Sequence, residues 1–185
     1  MGEIPLLVLV PPHVSQAKRE ILSLSGATIV PVEPLNPDTD WASPGEERFE
    51  DQFTKLRLWD MEEYDRILYL DSDMLLTRPL DDIWSEPISR EPFPSDPKLS
   101  ASDEAQVPAS YLLCGVSDVG GPSHIDTGML NGGFFMMQPN KQLLEHYISI
   151  LNIPDRFDSG LMEQSLLNYA HREDGPMPAR FFENS

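Results

Sequence analysis

The first 32 residues restrict the fold more than any other stretch. Ile4 to Val10 is a short, uninterrupted apolar run, halted by Pro11-Pro12. Such a run bounded by breakers predicts a buried strand. Ser15 offers an N-cap for a helix reaching about Leu24, and Gly26 suits its end. Ala27 to Val32 is a second apolar run. Strand, helix, strand at this spacing is the unit of a parallel sheet, so the expected class is α/β.

Downstream the pattern changes from element to loop several times. Residues 33–45 and 87–97 are rich in proline and polar residues and predict loops. Phe49, Phe53, Leu56 and Trp59 recur at helical spacing and predict an amphipathic helix. Arg66 to Leu70 predicts a strand, Met74 to Leu76 an extended continuation, and Pro79 to Trp84 a short turn or helix. Further strands are expected at Leu99 to Ala101, Tyr111 to Val116 and Leu130 to Gln138. Leu143, Leu144, Tyr147, Ile148 and Leu151 form one helix face, and Met162 to His171 is a last helix. Arg172 to Ser185 shows no clear element. One domain fits the length of 185 residues.

Charge excludes some functions. The chain carries 13 Lys and Arg against 31 Asp and Glu, a formal net charge of −18. That sign opposes nonspecific nucleic-acid binding and docking on anionic membranes, so a phosphate-bearing ligand needs a metal ion or locally placed cations. No run approaches the ~20 apolar residues of a membrane span, and the first apolar run is too short for a signal peptide. Cys114, the single cysteine, cannot form an internal disulfide, which suits a reducing compartment and a cytoplasmic location. It reads as a small core residue, and Tyr64 and Tyr69 as packing residues. His171 reads as a surface or helix C-terminal histidine.

Asp71-Ser72-Asp73 stands at the end of the third expected strand. In extended backbone, residues i and i+2 point to one side, so both carboxylates could face one ion. Ligands of open α/β sheets bind beyond the carboxyl ends of strands. Hard divalent cations prefer such oxygen donors, and magnesium-like sites combine one or two carboxylates with substrate phosphates. A solvated acidic turn is the plain alternative. Asn131-Gly132-Gly133 reads equally as a strand bulge or as a place where backbone approaches a ligand.

Three blocks carry a family resemblance. The first is Phe53-Thr54-Lys55-Leu56-Arg57-Leu58-Trp59 followed by Tyr64 through Asp73. The second is Leu130-Asn131-Gly132-Gly133-Phe134-Phe135, and the third is Phe157-Asp158 with Glu163-Gln164-Ser165-Leu166-Leu167-Asn168. In this order they resemble the signature of the family 8 glycosyltransferases, the glycogenin-like group. The resemblance implies a GT-A fold, a Rossmann-like, mostly parallel sheet flanked by helices. It implies a UDP-sugar donor, a hydroxyl acceptor, manganese (or magnesium) and retention at the anomeric carbon. It places metal binding on Asp71 and Asp73, donor binding on Lys55, Asp71, Ser72, Asp73, Asn131, Gly132 and Gly133, and the reacting centre at Glu163 and Gln164.

Departures accompany the resemblance. The usual acidic-Gln pair is Asp-Gln, and here it is Glu163-Gln164. Either Asp118 or Asp126 could stand for a further family acid. Ile4 to Val10 resembles the family's second strand, so the first strand-helix unit is expected to be missing. His13, His124, His146 and His171 do not match the family's third metal ligand. The expectation is therefore a partial glycosyltransferase domain over 1–185, truncated at both ends. A non-catalytic fragment of the same family is the alternative, and a metal-dependent phosphohydrolase or nucleotidyltransferase ranks last.

Overall fold

A computed structural model describes residues 4–38, 41, 51–120 and 125–182. Strand β1 (Leu7–Val10), helix α1 (Gln16–Leu24) and strand β2 (Thr28–Pro31) form the expected unit, with β1 parallel to β2 and Leu7 opposite Thr28. Ser15 occupies the N-cap position, although its side chain makes no capping bond there. Gly26 takes a φ of +92°, the left-handed conformation that favours glycine after a helix. Helix α1 buries no residue.

The predicted amphipathic helix is a 3-10 helix, Gln52–Asp60. Phe53, Leu56 and Trp59 lie three residues apart, which matches three residues per turn and stacks their side chains along one line. All three are buried, and so are Thr54, Lys55 and Leu58. Phe49 lies outside the described residues. Strand β3 (Ile67–Leu70) follows.

A four-stranded sheet carries the rest, in the order β3-β7-β6-β8. Here β6 is Leu113–Gly120, β7 is Ile125–Met137 and β8 is Arg180–Phe181. A short ladder pairs β4 (Phe93–Pro94) with β5 (Ser110–Tyr111). The architecture is mixed α/β, as expected, but the mostly parallel order is not met in this sheet. Its β3–β7 and β6–β7 pairings are antiparallel, and only β6–β8 is parallel. For β6 and β7 the reason is local: Gly120 and Ile125 lie too close in sequence for the crossover that a parallel pair needs. Two other expectations change. Leu99 ends a 3-10 turn, Pro97–Leu99, started by Pro97 and capped by the Asp96 side chain, where a strand was expected. The tail contributes β8.

Strand alternation divides the apolar side chains between two faces. Phe135 and Met137 join Leu113, Trp59 and Phe53 in the main core, closed by Leu143, Tyr147 and Ile150 of α2 (Lys141–Leu151) and Leu166 and Leu167 of α3 (Met162–Ala170). Met136, Leu112 and Cys114 form a small cluster on the other face. Burial pushes the Cys114 thiol up to about 12, so it is an unreactive core group. His171, at the end of α3, is buried rather than at the surface. Its Nδ1 donates to the Met177 carbonyl and its Nε2 accepts from the Tyr147 hydroxyl, and desolvation lowers its pKa to about 3.

Candidate active site

The interruption in the β6–β7 ladder builds the site. Gly115 pairs with Phe135, but Ser117 pairs with Leu130, so 131–134 of β7 arch away opposite Val116. Such a bulge frees backbone polar groups, and each must find another partner. The N–H of Gly132 donates to Gln164 Oε1 at 2.7 Å, and that of Gly133 to Asn131 Oδ1 at 2.8 Å. The Gly132 carbonyl accepts from Lys55 at 2.9 Å, and the Gly133 carbonyl from the Asp71 N–H at 2.9 Å. Asn131-Gly132-Gly133 is thus both a bulge and a place of close approach. A Cβ on Gly132 would lie 2.9 Å from Gln164 Cβ, and one on Gly133 would lie 2.7 Å from Asp71 Oδ2. At Gly132 the neighbour is a Cβ close to the helix backbone, whereas at Gly133 the ends of the Asp71 and Met74 side chains would have to move aside.

Lys55 is the hub of this arrangement. It is 8% exposed, and its ammonium faces Glu163 Oε1 at 2.5 Å, the Gly132 carbonyl at 2.9 Å and Asp71 Oδ1 at 3.3 Å. An ammonium has three protons, and three protein acceptors surround this one. Lys55 therefore acts through what it holds in place. Glu163 is 4% exposed, and burial raises its pKa while the Lys55 charge opposes the rise.

Asp71 follows β3 directly, at the carboxyl end of that strand. The extended geometry expected for Asp71-Ser72-Asp73 is replaced by a turn in which the Met74 N–H donates to the Asp71 carbonyl at 3.2 Å. The side chains are therefore set by the turn and not by strand alternation. Asp71 Oδ1 takes the Lys55 contact and the Tyr69 hydroxyl at 2.6 Å. Ser72 and Asp73 are exposed, and among the described residues neither side chain makes a hydrogen bond or salt bridge.

Three contributors were not assigned from sequence. Tyr69, read as packing, is half-buried, and burial together with Asp71 raises its phenol well above the usual value, so it remains a donor. Asp118, left open against Asp126, accepts from Asn131 Nδ2 at 3.1 Å and Gln164 Nε2 at 2.9 Å, which fixes both amides. Asp126 is exposed and bonds Ser117 and the Gly128 N–H instead. Asn168 bridges the two blocks, accepting from the Leu130 N–H and donating to the Leu130 and Gln164 carbonyls. The i+4 spacing of Gln164 and Asn168 in a helix was the available signal, since it puts both amides on one face.

Among the described residues no group of three His, Cys, Asp or Glu is arranged to hold a metal ion. His146 and His171 are buried elsewhere, and His124 lies outside the described residues. The carboxylates of this segment that keep exposed surface are those of Asp71 and Asp73. Two carboxylates fit a hard divalent cation whose other ligands come from phosphate and water.

The mixed α/β fold, with this cluster at a strand end, is consistent with a GT-A-like fold. Comparison with known proteins agrees at that level. Two uncharacterized proteins of Schizosaccharomyces pombe (strain 972) are each 29% identical over 96% of this chain, covering 56% and 55% of their own lengths. Galactinol synthase 1 of Ajuga reptans is 25% identical over 89% of this chain and 50% of its own length. Galactinol synthase 7 of Arabidopsis thaliana is 32% identical over 80 residues, which is 43% of this chain and 24% of that protein. The chain spans about half the length of the first of these relatives. No protein-family model matches the chain. No helix among the described residues is long and apolar enough to cross a membrane.

Proposed function

We propose that this chain carries the donor-holding centre of a metal-dependent, retaining glycosyltransferase that moves a sugar from UDP to a hydroxyl acceptor. One observation carries the reading: Lys55, Asp71, Asn131, Gly132, Gly133, Glu163 and Gln164, drawn from separate stretches of sequence, meet in one hydrogen-bonded cluster at the end of β3. The similarity to proteins named galactinol synthase supports a synthetic rather than a hydrolytic reaction.

In this reading Asp71 and Asp73 hold manganese or magnesium, which would neutralise the departing diphosphate. Lys55 supplies positive charge beneath Asp71 and opposes the effect of burial on the Glu163 carboxyl. Gln164, clamped by Asp118, and Asn131 would face the sugar. The acceptor oxygen bonds to the anomeric carbon as the bond to the diphosphate breaks, and a diphosphate oxygen takes the hydroxyl proton. Positioning of this kind governs the rate, because displacements of about 1 Å at a reacting centre cost on the order of a hundredfold.

The test is transfer or hydrolysis of labelled UDP-sugars with manganese present. Asp71→Ala combined with Asp73→Ala should lower the rate by at least about a hundredfold, and equal rates in both proteins would sink the assignment. A second reading, a nucleotide-sugar binder without turnover, is favoured by one observation: the Lys55 ammonium is surrounded by three protein acceptors. Micromolar UDP binding by calorimetry with no turnover of any UDP-sugar would select it.

A further inference from the structure

The Asp71 carboxylate has unequal oxygens, and Tyr69 is responsible for much of the inequality. Resting on the proposed metal-binding role of Asp71, we infer that Tyr69 is a positioning residue that leaves Asp71 one oxygen, Oδ2, for a divalent cation.

Tyr69 and Asp71 are two residues apart at the end of β3, and the Tyr69 hydroxyl donates to Asp71 Oδ1 at 2.6 Å. Lys55 approaches the same oxygen at 3.3 Å, so Oδ1 has two donors. Oδ2 has none among the described residues and lies against the Cα of Gly133, where a Cβ would come within 2.7 Å. A carboxylate held by one oxygen offers a cation a single, oriented ligand instead of a bidentate clamp.

The phenol is itself held rigidly. Its ring stacks on Phe135 with centroids 5.0 Å apart and 22° between planes. Phe135 stacks in turn on Trp59 at 5.7 Å and 24°. The Lys55 ammonium lies 4.8 Å from the Tyr69 ring centre. These contacts restrict the ring, with its hydroxyl bonded to Asp71. Groups that orient a metal ligand in this way typically alter metal affinity by about 10- to 100-fold when removed.

The experiment uses protein labelled with carbon-13 at the methionine methyls and titrated with manganese(II) chloride. Met74 reports on the site, since its Cε lies 2.8 Å from where a Gly133 Cβ would stand. Manganese should broaden the Met74 signal in the wild-type chain. Tyr69→Phe, which keeps the ring and its stacking, should need about tenfold more manganese for half-broadening. Tyr64→Phe should behave as wild type. Half-broadening of Tyr69→Phe at the wild-type concentration would overturn the inference. So would a Tyr69→Phe spectrum in which the buried Met136 and Met137 methyls also shift, because the loss would then be structural. Failure of manganese to broaden Met74 in the wild type would instead overturn the metal-binding reading on which the inference rests.

Discussion

The floor and the rim of the cluster are built differently, although both are charged. The floor, Lys55 with Glu163 and the Gly132 carbonyl, is buried and closed, and each of its charges has a protein partner. The rim, Asp71 through Asp73, reaches solvent; Asp71 is 39% exposed and Asp73 has no hydrogen-bond or salt-bridge partner among the described residues. A buried charge that loses its counter-ion is costly, whereas an exposed one is compensated by water. The floor should therefore govern folding, and the rim should govern ligand binding.

The largest effect tests the floor. Lys55→Ala leaves Glu163 buried without its cation and should cost about 3–5 kcal/mol, read as a lower urea midpoint. The pH dependence has a definite sign. Burial raises the folded-state pKa of Glu163 above its unfolded value, and removing Lys55 removes what opposes that rise. The folded variant then binds more protons than the unfolded one, so its stability should fall as the pH rises above the ordinary carboxylate range. Lys55→Met with Glu163→Gln should recover part of the loss. A Lys55→Ala cost under about 1 kcal/mol would place Lys55 with the rim.

A smaller effect tests the join between floor and rim. Asp118 accepts from both Asn131 and Gln164. Asp118→Asn replaces one acceptor oxygen with a donor facing an amide, so one contact is lost and one amide is free to turn. A cost of about 1–2 kcal/mol is expected in urea melts, together with weaker UDP binding. Unchanged UDP affinity would show that the two amides do not depend on Asp118 for their orientation.

The rim was more legible in sequence than the floor. Asp71 and Asp73 follow an apolar run, and a local pattern suffices to find them, although the turn at Met74, and not strand alternation, sets their side chains. The β1-α1-β2 unit was readable for a similar reason, since breakers bound each of its elements. The floor depends on contacts across long separations: Lys55 meets Glu163 over 108 residues and Gly132 over 77. No period of 2 or 3.6 encodes such a meeting. Resemblance named these residues as a set without saying that they bond to one another. The 3-10 form of Gln52–Asp60 was available in the three-residue spacing of Phe53, Leu56 and Trp59, which an α-helical reading absorbed as near enough to 3.6. Strand β8 pairs through two residues only, too few for any pattern.

The smallest effect on stability sharpens the contrast most. Asp73 is exposed, and among the described residues its side chain has no hydrogen bond or salt bridge to lose. Asp73→Asn should shift folding stability by no more than about 0.5 kcal/mol, the range for surface substitutions that break no specific feature. The same change removes one of two proposed carboxylate ligands, so manganese-dependent UDP binding should weaken by at least about tenfold. The pairing of these results is what matters. Lost binding with intact stability places Asp73 on a surface kept for a ligand, because nothing in folding requires its charge. Intact binding would leave Asp71 as the sole carboxylate of the rim, and the two-carboxylate donor set would have to be abandoned. Lost stability would mean that Asp73 shares the work of Lys55 and Glu163, which would erase the division between floor and rim.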